Sequence, residues 1–273
     1  MSDRYTLDDL IYLMERLRDP KAGCPWDLEQ TFASIVPHTL EEAYEVADTI
    51  ERQDWPHLKD ELGDLLFQVI FYSQLGKEQS LFDLHEVVDQ LCSKLLRRHP
   101  HVFPTGQLRD SAESIEIDQQ TVNAQWERIK EQERESKDRA RVLDEVPTTL
   151  PAMSRAVKLT KRASKVGFDW DDATGVLDKI EEEIQELREA MQQGDLDAVR
   201  EELGDLLFVN ANLARKLSVD PEQAVRNTNL KFERRFNHVE DRVLASGKDW
   251  REFTLEELDA WWDEAKKIEK SKK

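Results

Sequence analysis

Along most of the chain, apolar residues recur every three or four positions, the spacing that lays a stripe along one helix face. Leu40, Ala43, Tyr44, Ala47 and Ile50 share such a face, and so do Leu62, Leu65, Leu66, Val69 and Ile70. Strand-like alternation is scarce, so the pattern predicts an all-α fold. The interruptions are equally readable. Arg52 to Pro56 forms a turn between the two stripes, and His99 to Gly106 is a loop by its prolines and glycine. The charged stretch from Arg128 starts as helix and is broken by Val146-Pro147-Thr148-Thr149-Leu150-Pro151. Proline there removes a donor and disfavours helix in the residue before it. Thr39 with Glu42 three residues on has capping-box form, which predicts a helix start just ahead of an acidic block.

The same pattern is then written a second time. Glu41-Glu42-Ala43-Tyr44-Glu45 and Asp60-Glu61-Leu62-Gly63-Asp64-Leu65-Leu66-Phe67 return as Glu182-Glu183-Ile184-Gln185-Glu186 and Glu201-Glu202-Leu203-Gly204-Asp205-Leu206-Leu207-Phe208. Glu45 to Glu61 spans the same interval as Glu186 to Glu202. Lys94 and Arg98 return as Lys231 and Arg235, and Trp126 with Lys130 as Trp262 with Lys266. Gly23-Cys24-Pro25-Trp26-Asp27 has an echo in Gly167-Phe168-Asp169-Trp170-Asp171. Collinear matches at a nearly constant offset imply a duplicated module, residues 1–135 and 152–273, joined by a linker at 136–151.

Composition narrows the function. The 273 residues carry 58 acids against 39 Lys and Arg, a net charge of −19. That excess argues against a nucleic-acid polymer or an anionic membrane as partner, because both need a cationic face. A small polyanion remains open, since carboxylates that first bind a dication present positive charge to phosphate. No apolar run suits a signal peptide or a membrane span. Cys24 and Cys92 stand in dissimilar contexts, so no disulfide framework is indicated and a cytoplasmic location is expected.

The acidic blocks acquire chemistry through their spacing. Glu42 and Glu45 share a helix face, as do Glu61 and Asp64 on the following helix. Glu186 and Glu202 are equally distant from Gly194, and so are Glu183 and Asp205. In an antiparallel hairpin with Gly194 at its turn these four carboxylates meet across one seam. Glu42, Glu45, Glu61 and Asp64 meet likewise about Gln53. Any one such glutamate alone reads as a solvated helix residue. Four facing inward repel one another and carry a desolvation cost, which a hard oxygen-seeking cation such as Mg2+ relieves. Downstream, Lys231 with Arg235 and Trp262 with Lys266 are one helical turn apart, suited to gripping phosphates and stacking on a base. No phosphate-binding glycine loop and no zinc-type histidine spacing occurs, and Arg200-Glu201-Glu202-Leu203-Gly204 matches only part of a Nudix box.

Glu-Glu-x-x-Glu, then Glu-Leu-Gly-Asp-Leu-Leu-Phe, then Lys-x-x-x-Arg, twice in one chain, resembles the MazG family over nearly the full length. The resemblance implies an all-α helical-bundle homodimer that hydrolyses nucleoside triphosphates to monophosphate and pyrophosphate with Mg2+. It implies Glu183, Glu186, Glu202 and Asp205 as metal ligands, with Glu182 assisting or positioning water. Lys231, Arg235, Trp262 and Lys266, with Lys130 from the first half, are implied to contact the nucleotide. The C-terminal module is then the main catalytic one, with Glu42, Glu45, Glu61 and Asp64 as a second possible metal site. The mechanism that follows is water attack on the α-phosphorus, assisted by metal held among the acids. Two other readings stay open: a non-catalytic helical protein that senses nucleotide or metal, and a hydrolase narrow for abnormal or deoxy nucleotides.

Overall fold

The computed structural model describes residues 4–109, 118–135, 141–144 and 146–271. Among them every regular element is helical, and the chain divides into two compact units, Met1–Lys137 and Asp138–Lys273.

The first unit holds α1 (Leu7–Leu17), the short α2 (Pro25–Glu29), α3 (Phe32–Glu51), α4 (Trp55–Glu78), α5 (Leu84–Arg98) and α6 (Gln119–Glu135). Caps written in the sequence fix several starts. Thr6 and Asp9, and Asp83 and Glu86, form reciprocal capping boxes that satisfy otherwise orphaned donors. α3 and α4 form an antiparallel hairpin whose turn passes through Gln53 in the left-handed region (φ 56°). The core is built across α1, α3, α4 and the start of α5 from Met14, Ile35, Ile70, Phe71, Leu75 and Leu84, with Phe32, Phe67 and Tyr72 against it. At its edge Arg18 forms a fork on Glu78, with Nε and Nη2 donating at 2.8 and 2.7 Å.

One expectation is corrected here. α3 begins at Phe32, capped by Thr31 and Ser34, and not at Thr39. Pro37 lies inside the helix, and Thr39 turns its hydroxyl to the Ile35 carbonyl and to Tyr72 Oη at 2.9 Å. Thr39 is thus a mid-helix threonine satisfied by back-bonding. The two apolar stripes are helical as read, but of their ten residues only Ile70 is buried. Leu40, Tyr44, Ile50, Leu62, Leu66 and Val69 all remain exposed within the chain. α4 buries its Phe71–Leu75 side against α1 instead.

The second unit holds α7 (Ala152–Ser164), α8 (Ala173–Gln193), α9 (Leu196–Lys216), α10 (Pro221–Ser246), a 3-10 turn at Trp250–Glu252 and α11 (Leu255–Ser271). α8 and α9 form the matching hairpin. Gly194 closes α8 at φ 71°, a left-handed conformation that glycine adopts without a Cβ clash. Asp195 then caps α9 by accepting from the Asp197 and Ala198 amides. α7 packs on α9, α10 packs on α11, and Val176, Ala190, Val209, Ala211, Val239, Val243 and Ala265 are buried among them. The echo at Gly167–Asp171 ties its loop to the end of α9: Asp169 receives Arg215 Nη2 at 2.6 Å and Lys216 Nζ at 2.9 Å. Of the 136–151 stretch, 136–140 and 145 lie outside the described residues. No helix among the described residues is long and apolar enough to cross a membrane.

Candidate functional site

Each hairpin brings its acids together. On α8 and α9, carboxylate oxygens of Glu183, Glu186 and Glu202 all lie within 4.8 Å of one another. On α3 and α4, Glu42, Glu45 and Glu61 do the same. The geometry follows from the helical register, because residues equally far from a hairpin turn are neighbours across it. Asp64 and Asp205 stand outside these triads but close enough to act on them. Burial, then Asp64, Glu45 and Glu61, push the Glu42 carboxyl above its ordinary value. Burial, then Glu186, Glu183 and Asp205, do the same to Glu202, and burial, then Glu45 and Asp64, to Glu61. Like charges held together and partly desolvated disfavour ionisation, so both seams gain from an added cation. The donor set is oxygen only, without imidazole or thiolate. That chemistry fits a hard ion such as magnesium and does not fit zinc.

The two seams differ in one respect. Glu183 is buried, 4% exposed, and pairs with a cation of its own helix, Lys179 Nζ at 2.8 Å. The same ammonium reaches Glu182 at 2.8 Å, which places Glu182 beside the triad with its side chain 58% exposed.

The basic and aromatic residues gather on a different helix pair. Arg235 of α10 donates from Nε and Nη2 to Glu269 of α11 at 2.9 and 2.8 Å. Its guanidinium also lies 5.7 Å from the Trp262 ring centre, and Phe232 covers that ring at 5.2 Å. Trp261 points elsewhere, edge-on to Phe253 at 5.1 Å, so Trp262 is the indole that stands with the arginine. Lys231 lies one turn before Arg235, half-buried. Lys266 is held by Asp263 of its own helix at 2.8 Å. In the first unit Arg98 and Arg97 both grip Glu133 of α6, at 2.6 and 2.7 Å. Arg98 first, and then Arg97, hold the Glu133 carboxyl at about 2. Lys94, Arg97, Arg98, Ile129 and Glu133 line a groove of about 1140 Å³. Trp126 packs edge-on to His99 at 5.1 Å. Lys130 falls on α6, and its side chain lies outside the described residues.

Sequence reasoning missed Glu133 and Glu269. Each lies seven residues past its tryptophan, on the same helix face, and each holds the repeated arginine in place. The shared interval was the available signal. Lys179 was missed as well, because a lysine four residues before a glutamate is ordinary on helix surfaces.

Paired acidic helices repeated in tandem, each followed by a basic helix and a tryptophan-bearing one, define a duplicated all-α scaffold with a carboxylate seam in each copy. Comparison with known proteins makes that class specific. The MazG nucleotide pyrophosphohydrolase domain is matched twice, at residues 30–103 and 172–240, which contain the two carboxylate hairpins. The chain is 46% identical over 265 residues to the nucleoside triphosphate pyrophosphohydrolase of Escherichia coli K12, covering 96% of this chain and 98% of that one. It is 41% identical to the nucleoside triphosphate pyrophosphohydrolase/pyrophosphatase MazG of Thermotoga maritima, covering 95% of each. An uncharacterized Bacillus subtilis protein, YabN, matches 94% of this chain with 51% of its own length, at 38% identity. The chain belongs to the MazG nucleotide pyrophosphohydrolase family, and it is an enzyme of that class.

Proposed function

We propose that the protein hydrolyses nucleoside triphosphates to the monophosphate and pyrophosphate in the presence of magnesium, chiefly in the second module. The observation that carries this reading is the Glu183–Glu186–Glu202 triad, with Asp205 beside it, on a hairpin matched by the family domain. Those four residues would hold the ion, and Glu42, Glu45, Glu61 and Asp64 form a second candidate set. Magnesium held there supplies charge neutralisation on phosphate oxygens and a more acidic water. Lys231 and Arg235 take the phosphates, with Glu269 fixing the guanidinium so that little rotamer freedom is lost on binding. Trp262, ordered by Phe232 and Arg235, offers its face to the base, and Lys266 adds charge from α11; Lys130 is its α6 counterpart, assigned the same part toward a nucleotide in the first module. Water attacks the α-phosphorus in line with the departing pyrophosphate, whose developing charge the basic residues stabilise. Stacking on an indole tolerates every base, so recognition centres on the triphosphate.

The modules are assigned to 1–135 and 152–273, with the linker at 136–151. The exposed stripe of Leu40, Tyr44, Leu62, Leu66 and Val69 is the kind of surface a helix-bundle homodimer covers, which supports a dimer.

The test is a panel of nucleoside triphosphates incubated with the chain, with and without magnesium, and resolved by chromatography. Monophosphate plus pyrophosphate, lost on chelation and in Glu202→Ala but retained in Glu61→Ala, is the expected result. Diphosphate plus orthophosphate would refute attack at the α-phosphorus. Loss in Glu61→Ala alone would move the site to the first module. Metal-tightened nucleotide binding without any turnover would make the chain a sensor.

A further inference from the structure

We propose that Lys179 is a built-in counter-ion of the second carboxylate cluster, holding Glu183 in the metal-free enzyme and displaced by the incoming dication. The inference rests on the metal-site reading of Glu183, Glu186 and Glu202. Lys179 Nζ lies 2.8 Å from Glu183 Oε1 and 2.8 Å from Glu182 Oε1, one turn before both on α8. Glu183 is the buried member of the triad, so this ammonium reaches into the cluster and is more than a surface pair. The ammonium donates to Glu182 and to Glu183, and those bonds raise the lysine above its usual value, so it stays charged.

The first module supplies the internal comparison. The interval that relates Glu45 to Glu186 relates position 38 to position 179, and position 38 is histidine. His38 Nδ1 stands 3.8 Å from Glu41, the counterpart of Glu182. Around Glu42, the counterpart of Glu183, the acting charges are those of Asp64, Glu45, Glu61 and Glu41. Two clusters of the same acids therefore differ by one permanent positive charge.

An ammonium and a dication on the same carboxylate repel at close range, and a largely buried oxygen screens that repulsion poorly. Lys179 must leave Glu183 for the ion to bind. Glu182 gives it a place to stay: the lysine keeps one of its two bonds and moves toward the exposed partner. Glu182 is thus a positioning residue, acting through Lys179 on the metal affinity of the site.

The experiment uses the full chain carrying Glu61→Gln, which removes the first cluster, and titrates Mn2+ by calorimetry. Lys179→Met is expected to bind the ion about tenfold more tightly, the effect of one nearby positive charge at moderate screening. Lys179→Arg is expected to restore the parent affinity. Glu182→Gln is expected to weaken binding, because the ammonium loses its second seat and stays on Glu183. Equal or weaker binding in Lys179→Met, or tighter binding in Glu182→Gln, overturns the counter-ion role. Glu202→Gln is the control that separates the two readings. If it leaves Mn2+ binding intact, the metal-site reading itself fails, whatever Lys179 does.

Discussion

Magnesium should stabilise the two units separately, and the size of that effect can be worked out. An ion that binds the folded state alone adds RT ln(1 + [L]/Kd), about 2.7 kcal/mol at a hundredfold excess over Kd. The units Met1–Lys137 and Asp138–Lys273 are nearly equal in length. At roughly 2 cal/mol/K of unfolding entropy per residue, that energy raises each melting temperature by about 9 °C. The metal-free chain is the right reference, because both seams then hold partly desolvated like charges: burial first, and mutual repulsion after it, raise Glu42, Glu61 and Glu202. Glu61→Gln and Glu202→Gln each remove one charge at nearly constant shape. Each variant should melt higher than the parent in chelator and lose the magnesium shift of its own unit. The assay is calorimetry in EDTA and in saturating magnesium for the parent and both variants. If the units melt in one transition, each variant removes about half of the shift. A parent insensitive to magnesium, or a full shift surviving in both variants, would refute the argument that these acids are a cation site.

Three further outcomes follow from particular contacts. The Glu133 carboxyl, held at about 2 by Arg98, contributes stability that is present above its ordinary value and lost as pH falls through the depressed one. Discounted for its partial exposure, that contribution is about 1–2 kcal/mol. The gap between parent and Glu133→Gln in denaturant titrations should therefore shrink from pH 5 toward pH 2, and a constant gap would discount the clasp. Trp262→Ala should raise the KM for nucleotide at least fivefold, at about 1–3 kcal/mol of stacking, with little change in melting temperature. Trp261→Ala, which removes a packing partner of Phe253, should show the reverse. Equal KM effects would mean that the wrong indole has been assigned. Gly194→Ala, at φ 71°, should cost about 1 kcal/mol. Gly204→Ala, inside α9 with nothing within 4 Å of a built Cβ, should stabilise by about the same amount. A Gly204→Ala variant that melts lower would show that another surface closes over that face.

What the sequence disclosed and what it withheld divide along a physical line. Local chemistry was legible: Gly194 in the left-handed region, Asp195 at the cap, and the loop from His99 to Gly106 follow from backbone preferences of single residues. The facing of Glu186 and Glu202 was legible too, because a hairpin turn and helical spacing fix it without knowledge of other helices. Thr39 was misread because its capping-box form also occurs at Thr31-x-x-Ser34, and only the packed chain shows which one starts the helix. Periodicity found the apolar stripes of α3 and α4 but carries no information about what lies against them. The core instead formed where Met14 of α1 meets Phe71 and Leu75 of α4. The clasping glutamates and Lys179 were hidden for a third reason. Each belongs to a charge pattern that exposed helices use everywhere, and only depth or repetition sets it apart. Duplication makes such residues testable, since each module is a control for the other. The Arg–Glu clasp is kept in both, at Arg98–Glu133 and Arg235–Glu269, as a shared structural need would require. The lysine at the acidic seam is present in one and replaced by His38 in the other. A difference in the charge beside matched carboxylates would bear on how tightly each seam could hold a cation, and not on whether the hairpin forms.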